Sequence, residues 1–144
     1  MTNENFVGTW KLISMESRRA TGKVTYPFGK NVVGMIMYDA AGHMSAQIMR
    51  TDRPAFESGD IPGGTPDEIK AAFKGLITYF GTYEIDNEEN TITHQVESSS
   101  FPNWAGTRQK RFFEFSDNRL ILSTPPIPAR DDAITSVLIW ERVA

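Results

Sequence analysis

Gly8-Thr9-Trp10 stands near the start of a chain that otherwise reads as one alternating apolar and polar segment after another. In an extended strand, successive side chains point to opposite faces, so a period of two marks a segment with one side to bury. A tryptophan on the first strand of such an all-β domain can stopper one end of a closed barrel. A stoppered barrel of 144 residues has an inside, and function turns on what that inside holds.

The alternation predicts a first strand over Val7 to Ser17, with Trp10, Leu12 and Ser14 on one face and Lys11, Ile13 and Met15 on the other. Arg18 to Lys30, broken by Gly22, Pro27 and Gly29, is a loop with room for a short strand at Lys23 to Tyr26. Val32 to Tyr38 and His43 to Arg50 form a hairpin, and Gly42 supplies the left-handed residue its turn needs. Thr51 to Thr65 is the longest irregular stretch and a candidate lid or portal. Thr65, Pro66 and Glu68 fit the N-cap, first position and capping-box partner of a helix. Ile69, Ala72, Phe73 and Leu76 continue it at helical spacing, to an end near Gly75 to Ile77. Further strands are expected at Thr78 to Asp86, Thr91 to Ser98, Arg108 to Phe115, Arg119 to Ser123 and Ile134 to Arg142. Phe101 to Gly106 is a loop bearing Trp104, and Thr124 to Asp132 is irregular because of its prolines. About eight strands in hairpin order with one short helix close most simply into an eight-stranded antiparallel up-and-down β-barrel rather than a sandwich. The whole chain, residues 1–144, reads as one such domain.

Composition narrows the function. The net charge is −3 and the basic residues are dispersed. Arg108, Lys110 and Arg111 are the densest basic group, but alternation splits them between two faces, so no phosphate-binding surface is expected. No apolar run reaches the roughly 20 residues of a membrane span. Cysteine is absent, which excludes disulfides and thiolate metal sites. The polar start, Met1 to Asn5, carries no secretory signal, so a cytoplasmic protein is expected.

Gly8-Thr9-Trp10-Lys11-Leu12 at one end and Trp140-Glu141-Arg142 at the other, with the segments Gly34 to Tyr38, Arg53 to Phe56, Tyr79 to Tyr83, Thr93 to Glu97 and Pro102 to Trp104 between them, give the chain a pattern that resembles the lipocalin-like domain proteins along essentially its whole length. The resemblance implies that Trp10 packs across the closed end of the barrel with Arg142 lying over it, in a structural role. Secreted lipocalins carry a leader, usually a disulfide, and a long helix after the last strand, and this chain shows none of these. The resemblance therefore implies a barrel with a cavity more firmly than it implies extracellular transport. Intracellular members include binders as well as isomerases and cyclases, and the fold does not choose between them.

His94 shares a strand face with Ile92 and Val96, and an imidazole facing a cavity there can act as a general acid or base. The competing reading is a buried histidine bonded to its neighbours. Arg111, in phase with Gln109, Phe113 and Phe115, can clamp a ligand carboxylate or phenolate, or else pair with Glu84, Glu97 or Glu114. Tyr79, Gly81, Tyr83 and Ile85 make the more interior-looking face of their strand, with Gly81 leaving room between two phenols. Tyr38 and Met44 lie on strands apolar on both faces, so patterning alone does not orient them. Trp104 either gates the barrel mouth or covers a satellite cluster. The expected ligand site is thus Tyr38, Met44, Tyr79, Tyr83, His94, Trp104, Arg111 and Phe113. With two distant histidines and no Gly-rich phosphate loop, neither metal nor cofactor is expected.

Two functions stay open. One is binding of a small hydrophobic or aromatic molecule inside the barrel. The other is a cofactor-free isomerase, cyclase or hydrolase of secondary metabolism, with His94 moving a proton and Arg111 or a tyrosine stabilising an oxyanion. Neither nucleic acid nor membrane is an expected partner; a homodimer is compatible with either function.

Overall fold

The computed structural model describes residues 5–129 and 132–144. The strands are β1 (Gly8–Arg19), β2 (Val24–Thr25), β3 (Val32–Tyr38), β4 (His43–Arg50), β5 (Leu76–Asp86), β6 (Thr91–Ser99), β7 (Arg108–Ser116), β8 (Arg119–Ser123), β9 (Ile127–Ala129) and β10 (Asp132–Arg142), with α1 (Pro66–Lys74) between β4 and β5. All pairings are antiparallel. From β3 to β8 each strand pairs with the next, β8 pairs with β10, and β1 pairs with both β3 and β10. That last pairing closes an eight-stranded barrel, to which β2 and β9 add short flanks on β1 and β10. Among the described residues, no helix is long and apolar enough to cross a membrane. Residues 1–4 of the polar start, and Arg130 and Asp131 of the expected irregular stretch, lie outside the described residues.

The hairpins follow the sequence closely. β3, β4 and β8 have the expected bounds, and Gly42 adopts φ of 95° in its turn. Three departures have physical causes. Leu76 begins β5 instead of extending the helix, because the chain leaves helical geometry at Gly75. Within the proline-rich stretch, Ile127–Ala129 pairs with Asp132–Ile134 at the sheet margin, where Pro128 is tolerated. In β1 the register slips between Leu12 and Ser14: Leu12 faces Trp140, whereas Ser14 already faces Ile139. The extra residue, Ile13, is a bulge that reverses the alternation. Met15 therefore packs against the core, on the side opposite to the one alternation assigns it.

Closure also resolves the two strands with apolar faces on both sides. Ile36, Tyr38, Met44, Ala46 and Ile48 are buried, while Met35 and Met37 face outward. Below the middle of the barrel the interior is solid. Trp10 is buried, its indole N–H donates to the Phe6 carbonyl at 2.9 Å, and the Arg142 guanidinium lies 4.2 Å from its ring. Arg142 also donates to the Val7 and Asn5 carbonyls at 2.9 and 2.6 Å. Phe6 meets Tyr38, Phe113 and Phe115 edge-on, with centroids 4.9–5.4 Å apart. This aromatic plug fills one end.

The capping box of α1 forms: the Glu68 N–H donates to Thr65 Oγ1 at 3.2 Å and the Thr65 N–H donates to Glu68 Oε1 at 2.9 Å. The helix is nonetheless a surface element, with Ile69 and Phe73 about half exposed. Asp132 joins two parts of the sheet margin. Its carboxylate accepts from the Ala20 N–H, the Thr21 hydroxyl and its neighbour Ala133 N–H, tying the β1–β2 turn to β10.

Candidate functional site

Above the plug the barrel is hollow. A cavity of about 530 Å³ runs from fully buried Ile36, His94 and Trp140 to exposed Pro126 and Ile127. A larger hollow of about 760 Å³ lies on the outer surface around the Asp86 to Glu89 turn. Charged side chains line it, and it does not reach the interior.

Three strands bring polar groups together at the bottom of the cavity and just beneath it. His94 on β6 is fully buried; Tyr38 on β3 and Tyr79 on β5 point inward beside it. The Tyr38 hydroxyl lies 2.7 Å from His94 Nε2, and the Tyr79 hydroxyl lies 2.9 Å from Nδ1. Both imidazole nitrogens are thus occupied. Burial, reinforced by the Arg111 guanidinium, pushes the His94 pKa down to about 3, so the ring is neutral at physiological pH. Burial also pushes the Tyr38 and Tyr79 phenols up, against a smaller opposing pull from Arg111 on each. The three side chains form an uncharged, hydrogen-bonded relay.

Arg111 lines the same cavity, half-buried, and donates to the Lys110 carbonyl at 2.9 Å. No carboxylate pairs with it among the described residues. Its basic neighbours on the outer face take the acids instead: Arg108 pairs with Glu84 at 3.3 Å and Lys110 with Glu89 at 3.0 Å. Trp104 hangs from the short 3-10 turn Pro102–Trp104 and meets the Tyr79 ring edge-on at 5.5 Å, forming part of the wall near the mouth.

Tyr79, His94, Trp104 and Arg111, of the residues singled out from sequence, therefore line one cavity. Tyr38, Met44, Tyr83 and Phe113 do not. Phe113 belongs to the plug, Met44 is buried in the core, and the Tyr83 hydroxyl donates to the Asp39 carbonyl at 2.6 Å. Gly81 leaves room for backbone and not for ligand, since a Cβ there would run into the Gln95 carbonyl of β6. His43 sits on the surface beside Asp39, 3.3 Å away. None of the Thr51 to Thr65 stretch lines the cavity.

Sequence reasoning missed Trp140, Leu138, Met15, Ile77 and Leu122 as wall residues. Alternation along β10 was the available signal, as Trp140, Leu138 and Ser136 share its inner face. Trp140 is buried, and among the described residues its indole N–H has no hydrogen-bond partner. Among the described residues, no cluster of three or more His, Cys, Asp or Glu side chains is placed to hold a metal ion.

The family model of the lipocalin-like domain matches residues 7–143. Over 107 residues the chain is 33% identical to the 4'-hydroxy-3'-methoxypropiophenone carrier protein ppsC of Aspergillus oryzae, an alignment covering 69% of this chain and 96% of that protein. A crystal structure of a lipocalin-like protein from Bacteroides uniformis aligns over 96% of this chain and 99% of that one, at 16% identity and a TM-score of 0.48.

Proposed function

This chain belongs to the lipocalin-like domain family, and on that premise we propose that it binds one small aromatic molecule bearing an oxygen acceptor, as a carrier. The observation that carries this reading is the wall itself. It is mostly apolar, with tryptophan and tyrosine rings, and the polar groups near its floor are the Tyr79–His94 pair and the unpaired Arg111. Its volume falls within the roughly 300–1,000 Å³ of small-molecule sites. Rings sandwich an aromatic body, while a hydroxyl and a guanidinium orient its oxygens.

The name of the Aspergillus oryzae relative supports an aryl ketone as the ligand class. The state of His94 favours carriage over catalysis. A neutral imidazole with both nitrogens engaged by tyrosines has no lone pair to offer a substrate proton, which a cofactor-free isomerase would require. Calorimetric titration with 4'-hydroxy-3'-methoxypropiophenone tests the proposal. One saturable site is expected, with quenching of Trp104 and Trp140 fluorescence and recovery of the compound unchanged. Leu138→Trp, which fills the cavity, should weaken binding about tenfold or more. Absence of saturable binding, or binding indifferent to Leu138→Trp, would reject the assignment; recovery of an isomer would restore the enzyme.

A further inference from the structure

We infer that buried Tyr38, which does not touch the cavity, fixes the direction of the hydrogen bonds through His94, so that Tyr79 presents its own hydroxyl proton to the cavity and the site selects ligands with an acceptor oxygen there. The inference rests on the cavity being the ligand site, and it follows from counting protons. A neutral imidazole carries one N–H and one bare nitrogen. Tyr38 is buried, its ring edge-on against Phe6 and Tyr83, and among the described residues the one hydrogen-bond partner of its hydroxyl is His94 Nε2.

Suppose Nε2 carried the proton. Tyr38 would then accept, and its own hydroxyl proton would be buried without an acceptor, a defect that folded proteins avoid. Tyr38 therefore donates to a bare Nε2, the ring proton sits on Nδ1, and Nδ1–H donates to the Tyr79 oxygen. Tyr79 has already accepted. Its remaining proton finds no second protein acceptor among the described residues, and Tyr79 lines the cavity. The depressed basicity of His94 keeps the relay uncharged, so this polarity holds across physiological pH. With the Arg111 guanidinium, a donor only, beside it, this part of the wall asks for acceptors: a ketone, phenolate or carboxylate oxygen in preference to a hydroxyl that must donate.

Two measurements test this. The first needs no ligand. In protein carrying 15N-labelled histidine, long-range 1H–15N spectra report which nitrogen of His94 is protonated, with His43 assigned by its loss in His43→Gln. The Nδ1–H form is expected; the Nε2–H form overturns the inference. The second compares 4'-hydroxy-3'-methoxypropiophenone with its deoxygenated counterpart, in which CH2 replaces the carbonyl. Wild type should prefer the ketone by about tenfold. In Tyr38→Phe, Tyr79 is released to donate to Nδ1, and the preference should shrink to about twofold, as it should in Tyr79→Phe. A ketone preference that survives Tyr38→Phe overturns the inference. Thermal melts check that each variant is folded. If neither compound binds wild type, the ligand class proposed above fails, and the histidine spectrum still decides the relay.

Discussion

His94 makes stability depend on pH in a way that can be calculated. In the unfolded chain its imidazole takes a proton as pH falls through its ordinary value near 6.5, whereas in the barrel it refuses one until about pH 3. Between those values the unfolded state binds more protons, so acidification favours unfolding, by up to about 1.4 kcal/mol per pH unit. This contribution is intact above about pH 6.5 and is lost progressively below it. From pH 7 to pH 5 the loss is about 2 kcal/mol. The carboxylates of Asp39, Glu68 and Asp132, held below their usual range chiefly by backbone N–H donors, also lose stabilisation on acidification. They are common to wild type and His94→Gln, and their effect cancels in the comparison. Urea unfolding of both proteins at pH 7 and pH 5 provides the measurement. Wild type should lose about 2 kcal/mol more than the variant over that interval. A difference within about 0.5 kcal/mol, the usual scatter between independent sites, would mean that His94 is protonated in the native state and that the relay is drawn wrongly.

The other expectations concern the scaffold. Gly81→Ala drives a methyl into the Gln95 carbonyl and should cost at least about 2 kcal/mol in thermal or chemical unfolding; an unchanged midpoint would refute the close strand approach. Arg142→Met removes the stacking on Trp10 and the hydrogen bonds to the Val7 and Asn5 carbonyls, for a loss of about 2 kcal/mol with ligand affinity unaltered. Weakened binding in a folded Arg142→Met protein would mean that plug and cavity are coupled. Thr65→Ala removes the capping box, about 1 kcal/mol, and should speed amide exchange in the first turn of α1 while leaving the global midpoint nearly in place.

The strands were legible because each pairs a period of two with a turn residue at its end, as in β3 to Gly42 to β4. The facing of Tyr38 and Met44 was not, since both sides of their strands are apolar and only the curvature of a closed sheet chooses between them. The bulge at Ile13 leaves no trace in composition; it is a fact of pairing between β1 and β10. At the site, His94 and Arg111 could be singled out because polar groups on otherwise apolar faces are conspicuous. That Tyr38 and Tyr79 would grip the two nitrogens of one imidazole could not be read in advance. Tyr38 reaches β6 from β3 across the barrel interior, a distance set by the radius and not by sequence spacing.

The residues that stopper the barrel, Phe6, Trp10, Phe113, Phe115 and Arg142, contribute nothing to the cavity wall. The stopper and the cavity wall thus draw on separate side chains in one small sheet, although the wall itself is also core. Met15, Ile77 and Leu138, the partly buried members of the wall, are the positions at which the guest space is open to reshaping while the far pole keeps the sheet shut, which makes the molecule a natural starting point for engineered receptors.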